Sequence, residues 1–207
     1  MKRFVTSLVI SLCILAYAIP AAAQFRWGPS VGMSVNNLKF KQELFDVSKG
    51  IGGSAGVKAE MMFPGIGFGL DMGLYYEQRA TTLDLGQKLI WSSEGYGKEK
   101  IWLHSIDIPF NLKFKWTRMQ GLEDYIAPFV FGGPVFTIQA GHSKCDALKY
   151  SGGDVSLIVG GGFELYRRWQ VSASYTWGMT YALKTRLLTD LSARNRTIDI
   201  KVTYFLK

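Results

Sequence analysis

Cysteine and histidine are almost absent, with two of each in 207 residues. One cysteine, Cys13, lies in the apolar leader, so Cys145 stands alone afterwards and no internal disulfide can form. The two histidines, His104 and His142, sit in segments unrelated to Cys145, which gives no metal-ligand spacing. Beyond the leader no stretch of eighteen apolar residues occurs, and this excludes a bundle of membrane-spanning helices. Phosphate loops of the glycine-rich kind are missing too, because the glycines alternate within strand-like runs rather than preceding a helix. Basic residues exceed acidic ones, for a formal net charge of +8, but they are dispersed rather than gathered into a nucleic-acid patch.

What is present begins with Met1-Lys2-Arg3, an apolar run from Phe4 to Ile19, and Pro20-Ala21-Ala22-Ala23-Gln24. A basic head, an apolar core and small residues at the end predict a secretory signal peptide over residues 1–23, cleaved after Ala23. Residues 24–207 are then one domain. Ile10-Ser11-Leu12 lacks the small residues that would precede a lipidated Cys13. Loss of Lys2 and Arg3, with no acidic residue in 1–23, takes the charge from +8 to +6.

The stretch Ile101–Trp116 organises the rest. Trp102, Ile106, Ile108, Phe110, Leu112, Phe114 and Trp116 share one face, which His104 alone interrupts. Ser105, Asp107, Pro109, Asn111, Lys113 and Lys115 share the other. A period of two held over so many residues is a long β-strand. A tilted strand that crosses a bilayer needs such length, with aromatic residues where it leaves the hydrocarbon.

The same alternation recurs in Phe25–Asn36, Gly53–Phe63, Gly67–Arg79, Asp154–Leu165, Gln170–Tyr181 and Arg196–Leu206. Tyr125–Gln139 is a strand as well, but apolar residues fall on both of its faces. Between these eight strands, long and short connections alternate strictly. That sorting predicts an eight-stranded antiparallel up-and-down transmembrane β-barrel, with short turns and both termini on the periplasmic side. Trp102 with Trp116, and Trp169 with Tyr181, are spaced to reach the two interfacial belts.

Eight strands enclose only enough room for side chains. The inward set mixes both signs: Lys58, Arg79, Lys113, Lys115 and Lys201 with Glu60, Asp71, Glu77, Asp107, Glu164 and Asp199. We expect these to pair as a polar core rather than to line a pore. Inward glycines (Gly28, Gly32, Gly67, Gly69, Gly73, Gly160, Gly162) make room for them.

The chain resembles the PorT-like outer-membrane β-barrel family of Gram-negative bacteria. The resemblance rests on Val31-Gly32-Met33-Ser34 with Asn36-Asn37-Leu38, and on Ile106-Asp107-Ile108-Pro109 with Leu112-Lys113-Phe114. It extends through Ala127-Pro128-Phe129 with Gly132-Gly133-Pro134 and Gly160-Gly161-Gly162-Phe163-Glu164-Leu165. Ser174-Tyr175-Thr176-Trp177-Gly178-Met179 and Asn195-Arg196-Thr197-Ile198 complete it. The resemblance implies a small outer-membrane barrel, and its name-giving branch is tied to a protein-secretion machine. One departure is the ending Tyr204-Phe205-Leu206-Lys207, where such barrels often close on an aromatic assembly signal.

Three roles follow as expectations. The first is a structural or interaction barrel whose exposed loops meet an envelope or secretion-assembly protein. Lys39–Gly50 and Leu83–Glu99 carry Phe40, Leu44, Phe45, Leu89, Ile90 and Trp91 for such contact or for capping the mouth. The second is a narrow porin-like channel, and the third an outer-leaflet lipid-modifying enzyme. Hydrolysis would need a Ser activated by a His. Ser105 must point inward when His104 points outward, which leaves Tyr76 or Thr137 as neighbours for the imidazole, and His142-Ser143 reads as a loop tip. We expect no enzyme activity, no cofactor, no nucleic acid, and contact with outer-membrane lipid and lipopolysaccharide.

Overall fold

The computed structural model describes residues 24–40, 47–48, 50–84, 98–142, 148–150, 152–180, 183–185 and 192–206. Residues 1–23, expected from the sequence to be a signal peptide, with Cys13 among them, Cys145, Ser143, Tyr181, the side chain of His142 and most of both long loops named above lie outside the described residues.

Eight long strands form the wall: β1 (Gln24–Phe40), β2 (Gly50–Met62), β3 (Phe68–Asp84), β4 (Lys98–Lys115), β5 (Ile126–His142), β6 (Gly153–Leu165), β7 (Trp169–Gly178) and β8 (Ser192–Tyr204). Each pairs antiparallel with the next, and β8 pairs with β1 from Ser30↔Thr203 to Phe40↔Ala193. The ring is closed. In hydrocarbon an unpaired amide costs several kcal/mol, so closure is the condition for these strands to exist in a bilayer.

The register fixes the shape of the ring. Partners run from Gln24 to Met62, Gly69, Lys113, Phe131, Gly160, Ser174, Asp199 and back to β1 at Ser34. The circuit returns ten residues further along β1, from 24 to 34. A stagger of ten over eight strands gives a tilt of about 40° and a backbone radius of about 8 Å. Once backbone and inward Cβ atoms are subtracted, the interior holds side chains and little else.

Faces sort by parity along every strand. On β4, Phe110 and Leu112 are exposed, whereas Asp107, Asn111, Lys113 and Lys115 are buried. The facing of β5 is resolved: Ala127, Phe129, Phe131, Val135 and Thr137 point inward, and Val130, Phe136 and Ile138 outward. The interior is therefore not wholly polar. Phe129, Phe131, Val135 and Ile158 make one apolar cluster inside the barrel. It fits because Phe131 pairs with Gly160 and Phe129 with Gly162 across β5 and β6. A Cβ on Gly160 would lie 2.7 Å from the Phe131 ring, and one on Gly162 would lie 2.9 Å from that of Phe129. These glycines are the floor on which two rings lie, a cross-strand aromatic–glycine pairing.

Aromatic side chains collect at the end where the chain enters and leaves. Phe68 packs on Phe114, Phe114 on Trp116, and Trp169 on Tyr204, each at 4.8 Å between ring centres. Trp27, Trp116 and Trp169 are exposed there, as an interfacial belt requires. Phe205 instead turns inward at 2 % exposure, with the Arg26 guanidinium 4.6 Å from its ring centre. The last aromatic pair thus divides, Tyr204 to the belt and Phe205 to the plug of the barrel. Leu206 donates its N–H to Trp27 at 2.8 Å, so the two ends of the domain meet at this periplasmic rim.

The turns at that rim are short. Between β4 and β5 a single 3₁₀ turn, Leu122–Asp124, follows Gly121 at φ 92°. Glu123 there accepts hydrogen bonds from the N–H of Met119 at 3.0 Å and of Gly121 at 2.9 Å. These donors, with its own amide, hold the Glu123 carboxyl below its ordinary value of 4.5. Its contribution to the turn is complete above that ordinary value and is lost as pH falls through the lower folded one. Amide exchange at Met119 and Gly121 is expected to rise on acidification through that window; exchange indifferent to pH, after correction for intrinsic rates, would contradict it.

Closure has its own test. With Cys145 replaced by Ser, cysteines at Val31 and Val202, which pair across β1 and β8, should oxidise to an intramolecular disulfide within one chain. Cysteines at Val31 and Val159 should not. Only intermolecular products from the first pair would mean an open sheet.

Candidate functional site

The barrel interior is the one place in the described structure where charged groups converge. Stagger separates them along the axis into two layers. The periplasmic layer comprises Arg26, Lys58, Glu60, Asp71, Lys113, Lys115 and Glu164, with Gln170 at its centre. Lys113 and Glu60 have no solvent exposure and are bonded to each other. Glu60 also accepts from Arg26 at 2.5 Å, Lys115 at 3.2 Å and Gln170 at 2.8 Å. Glu164 receives both arms of Arg26, at 2.6 and 3.3 Å, and Lys115 at 3.3 Å.

Gln170 is the hinge of this layer. Its Nε2 donates to Glu60 and Glu164, both at 2.8 Å, while its Oε1 accepts from Lys58 at 3.1 Å and Lys113 at 3.0 Å. An amide has one end for each sign of charge, so it joins two cations to two anions without adding charge. Asp71 lies 2.9 Å from Lys58 and 3.6 Å from Lys113. The Phe129 ring completes the layer, its centre 4.0 Å from the Lys113 ammonium, a cation over an aromatic face.

The extracellular layer is built differently. Arg79 bonds Glu77 at 2.7 Å and also Asp107, and Lys201 bonds Glu77 at 2.7 Å while lying 4.5 Å from the centre of the Tyr75 ring. Asp199 and Asp154, both buried, flank these groups. Ser156 donates to Asp154 at 3.0 Å. Two cations thus face four carboxylates here, whereas the periplasmic layer sets four cations against three. Between the layers lies a cavity of about 30 Å³, bordered by Lys58, Asp71, Tyr75, Asn111 and Lys201. That is space for about two waters.

All eleven charged residues singled out in the sequence lie inside the barrel. Lys58, Glu60, Asp71, Lys113, Lys115 and Glu164 join one layer, and Glu77, Arg79, Asp107, Asp199 and Lys201 the other. Sequence reasoning left out Arg26, Gln170 and Asp154. Arg26 sits between Phe25 and Trp27 at an inward parity position, and Gln170 opposes Val171; strict parity counting finds both.

Outside the barrel, the Tyr76 hydroxyl and His104 Nδ1 are 2.7 Å apart and the two rings stack. Ser105 and Thr137 point inward, at 1 % and 4 % exposure, away from the imidazole. Among the described residues, no group of His, Cys, Asp and Glu has the arrangement to hold a metal ion.

A closed eight-stranded wall, an apolar outer face and an ion-paired interior describe a bacterial outer-membrane protein. The family described as outer membrane protein beta-barrel domain matches residues 20–183. The chain belongs to that family. Solved structures similar to it include OprG of Pseudomonas aeruginosa, at 10% identity and TM-score 0.49, over 88% of this chain and 93% of OprG. Ail, the attachment invasion locus protein of Yersinia pestis, is 12% identical with TM-score 0.44, over 88% of this chain and 99% of Ail. The outer membrane enzyme PagL is 12% identical with TM-score 0.42, over 82% of this chain and 97% of PagL. No curated protein matches the chain.

Lys113→Met takes one buried donor from Glu60, which keeps Arg26, Lys115 and Gln170, so the loss falls short of the cost of a stranded charge and near the ~1.5–3 kcal/mol of a hydrogen bond to a charged group. Lys113→Met should therefore lower the unfolding free energy of this outer-membrane barrel by that order, measured by urea titration in lipid vesicles. Lys113→Met combined with Glu60→Gln removes one charge of each sign and should cost less than the two single losses summed. A loss below about 0.5 kcal/mol for Lys113→Met, the range of surface substitutions, would mean the layer is solvated rather than locked.

Proposed function

We propose that this outer-membrane protein acts as a closed structural and interaction barrel, meeting another envelope component at its extracellular rim. The observation that carries this reading is the plug. Arg26, Glu60, Lys113, Glu164 and Gln170 cross the lumen in one bonded layer with Lys113 and Glu60 fully buried. A cleft of about 310 Å³ at the periplasmic mouth ends on Arg26, Lys115 and Glu164. An ion entering there meets saturated charge pairs.

The wall itself supports work at the rim. β3 and β4 stay paired as far as Asp84↔Lys98, six residues beyond Gln78↔His104. At ~3.3 Å per residue and the barrel's tilt, that hairpin stands roughly 15 Å above the level of His104. It is further braced by Val47–Ser48, which pairs with Leu83 and Thr82. A wall raised on one side is a platform for contact. The sequence resemblance to PorT-like barrels supports a partner within an envelope or protein-secretion assembly.

Two measurements test this. Purified protein in planar bilayers should show no discrete conductance, and unitary steps in the native protein would favour the channel reading instead. Cross-linking in native membranes should recover one stoichiometric envelope partner, lost when the β3–β4 extension is shortened by a register-preserving deletion. Recovery of no partner would overturn the interaction role.

A further inference from the structure

A buried oxygen that accepts no hydrogen bond is expensive, so each one in the barrel interior needs an account. Two residues that carry such oxygens are neighbours. Asp71 of β3 and Asn111 of β4 pair directly across the wall, and both point inward, at 1 % and 7 % exposure. Neither oxygen of the Asp71 carboxylate, nor Oδ1 of Asn111, accepts a hydrogen bond from a described group. Lys58 lies 2.9 Å from Asp71 Oδ2, an ion pair without the alignment of a hydrogen bond. Both side chains border the cavity of about 30 Å³ between the two charge layers.

The wall beside that cavity is short of hydrogen bonds as well. Pro109, another lining residue, brings no N–H to the ladder. The register of β3 with β4 passes from Met72↔Phe110 to Tyr75↔Asp107 without partners for Gly73 and Leu74. On its other side β4 passes from Pro109↔Val135 to Leu112↔Gly132 without partners for Phe110 and Asn111. Lipid offers backbone groups at such a break nothing, so only the lumen can satisfy them.

Charge and count decide what fits. Opposed inward residues hold their Cβ atoms ~4.5–5.5 Å apart, and one water can divide its two O–H groups between the two acceptors. A metal cation would also suit oxygens, but here it would sit among ammonium groups. Lys58 and Lys201 border the cavity, and Lys113 is 3.6 Å from Asp71. The volume suits two waters, and a buried water needs ~2–4 polar partners. Ser172, Ser174 and Thr203 line the same space. We propose that the waist of the barrel is a binding site for two structural waters. The first is shared by Asp71 and Asn111, and the second continues from it to the serine hydroxyls of β7 beside Lys201. Asp71 belongs to the periplasmic layer and Lys201 to the extracellular one, so the two waters span the gap between them. The site is independent of the interaction role proposed above.

The test is a high-resolution crystal structure of the full mature protein, grown with rubidium as the monovalent cation. Density should appear about 2.7–3.2 Å from both an Asp71 oxygen and Asn111 Oδ1, with a second peak within the same reach of the first. Neither peak should carry the anomalous signal of rubidium. Asn111→Leu keeps a side chain of similar size and removes the acceptor, and it should lose the first water. Absence of density at the native site, a rubidium signal there, or retention of the first water by Asn111→Leu would each overturn the proposal. Heat-dependent electrophoretic mobility reports whether the variant has folded; if it has not, the density and the anomalous signal of the native protein decide the matter.

Discussion

Every strand in this molecule answers to one constraint: inside hydrocarbon no backbone N–H or C=O can go without a partner. β8 must therefore find β1, and the pairing of Ser30 with Thr203 through Phe40 with Ala193 is where the ring shuts. Closing eight strands with a stagger of ten leaves an interior about as wide as two opposed side chains. Fat outside and a cramped centre inside then dictate the alternation of residues along all eight strands.

The centre could have been filled with aliphatic groups, but that would have left both faces apolar and the inside–outside choice undetermined. A one-residue slip reverses every side chain of a strand, so buried charges on one parity make the wrong facing prohibitive. The charges are tolerated because they are interlocked. Gln170 links Glu60 and Glu164 to Lys58 and Lys113, and the Phe129 ring closes the side where no carboxylate is available. The glycines of β6 give Phe129 and Phe131 their place, so the aromatic and ionic halves of the interior share one layer.

Much of the barrel was legible in the sequence, since membrane strands must declare their faces residue by residue. The parity of Ile106–Phe114 and Val171–Tyr175 translates directly into exposure. Legibility failed where a face carries no contrast. The structure extends β1 to Phe40, β3 to Asp84 and β5 to His142, beyond the alternating cores, and ends β7 at Gly178 rather than Tyr181. On β5 the facing was unreadable because the reason for inward Phe129 and Phe131 lies on another strand, in Gly160 and Gly162. Arg26, by contrast, is legible by strict parity, as the inward position between Phe25 and Trp27. The division into two charge layers was also out of reach: it depends on the stagger, which only the paired structure supplies.

The central claim is that one parity of each strand meets lipid and the other meets a locked, ion-paired interior. A cysteine scan along β4 from Ile106 to Lys113, in lipid vesicles, tests it most directly. Each position is labelled in the unfolded state with a small fluorophore, and quenching is then measured from lipid-borne and from aqueous quenchers. The account predicts lipid quenching at Ile106, Ile108, Phe110 and Leu112. It predicts little quenching of either kind at Asp107, Asn111 and Lys113 wherever the labelled chain folds. Aqueous quenching at Ile108 and Phe110, or the opposite parity, would contradict it.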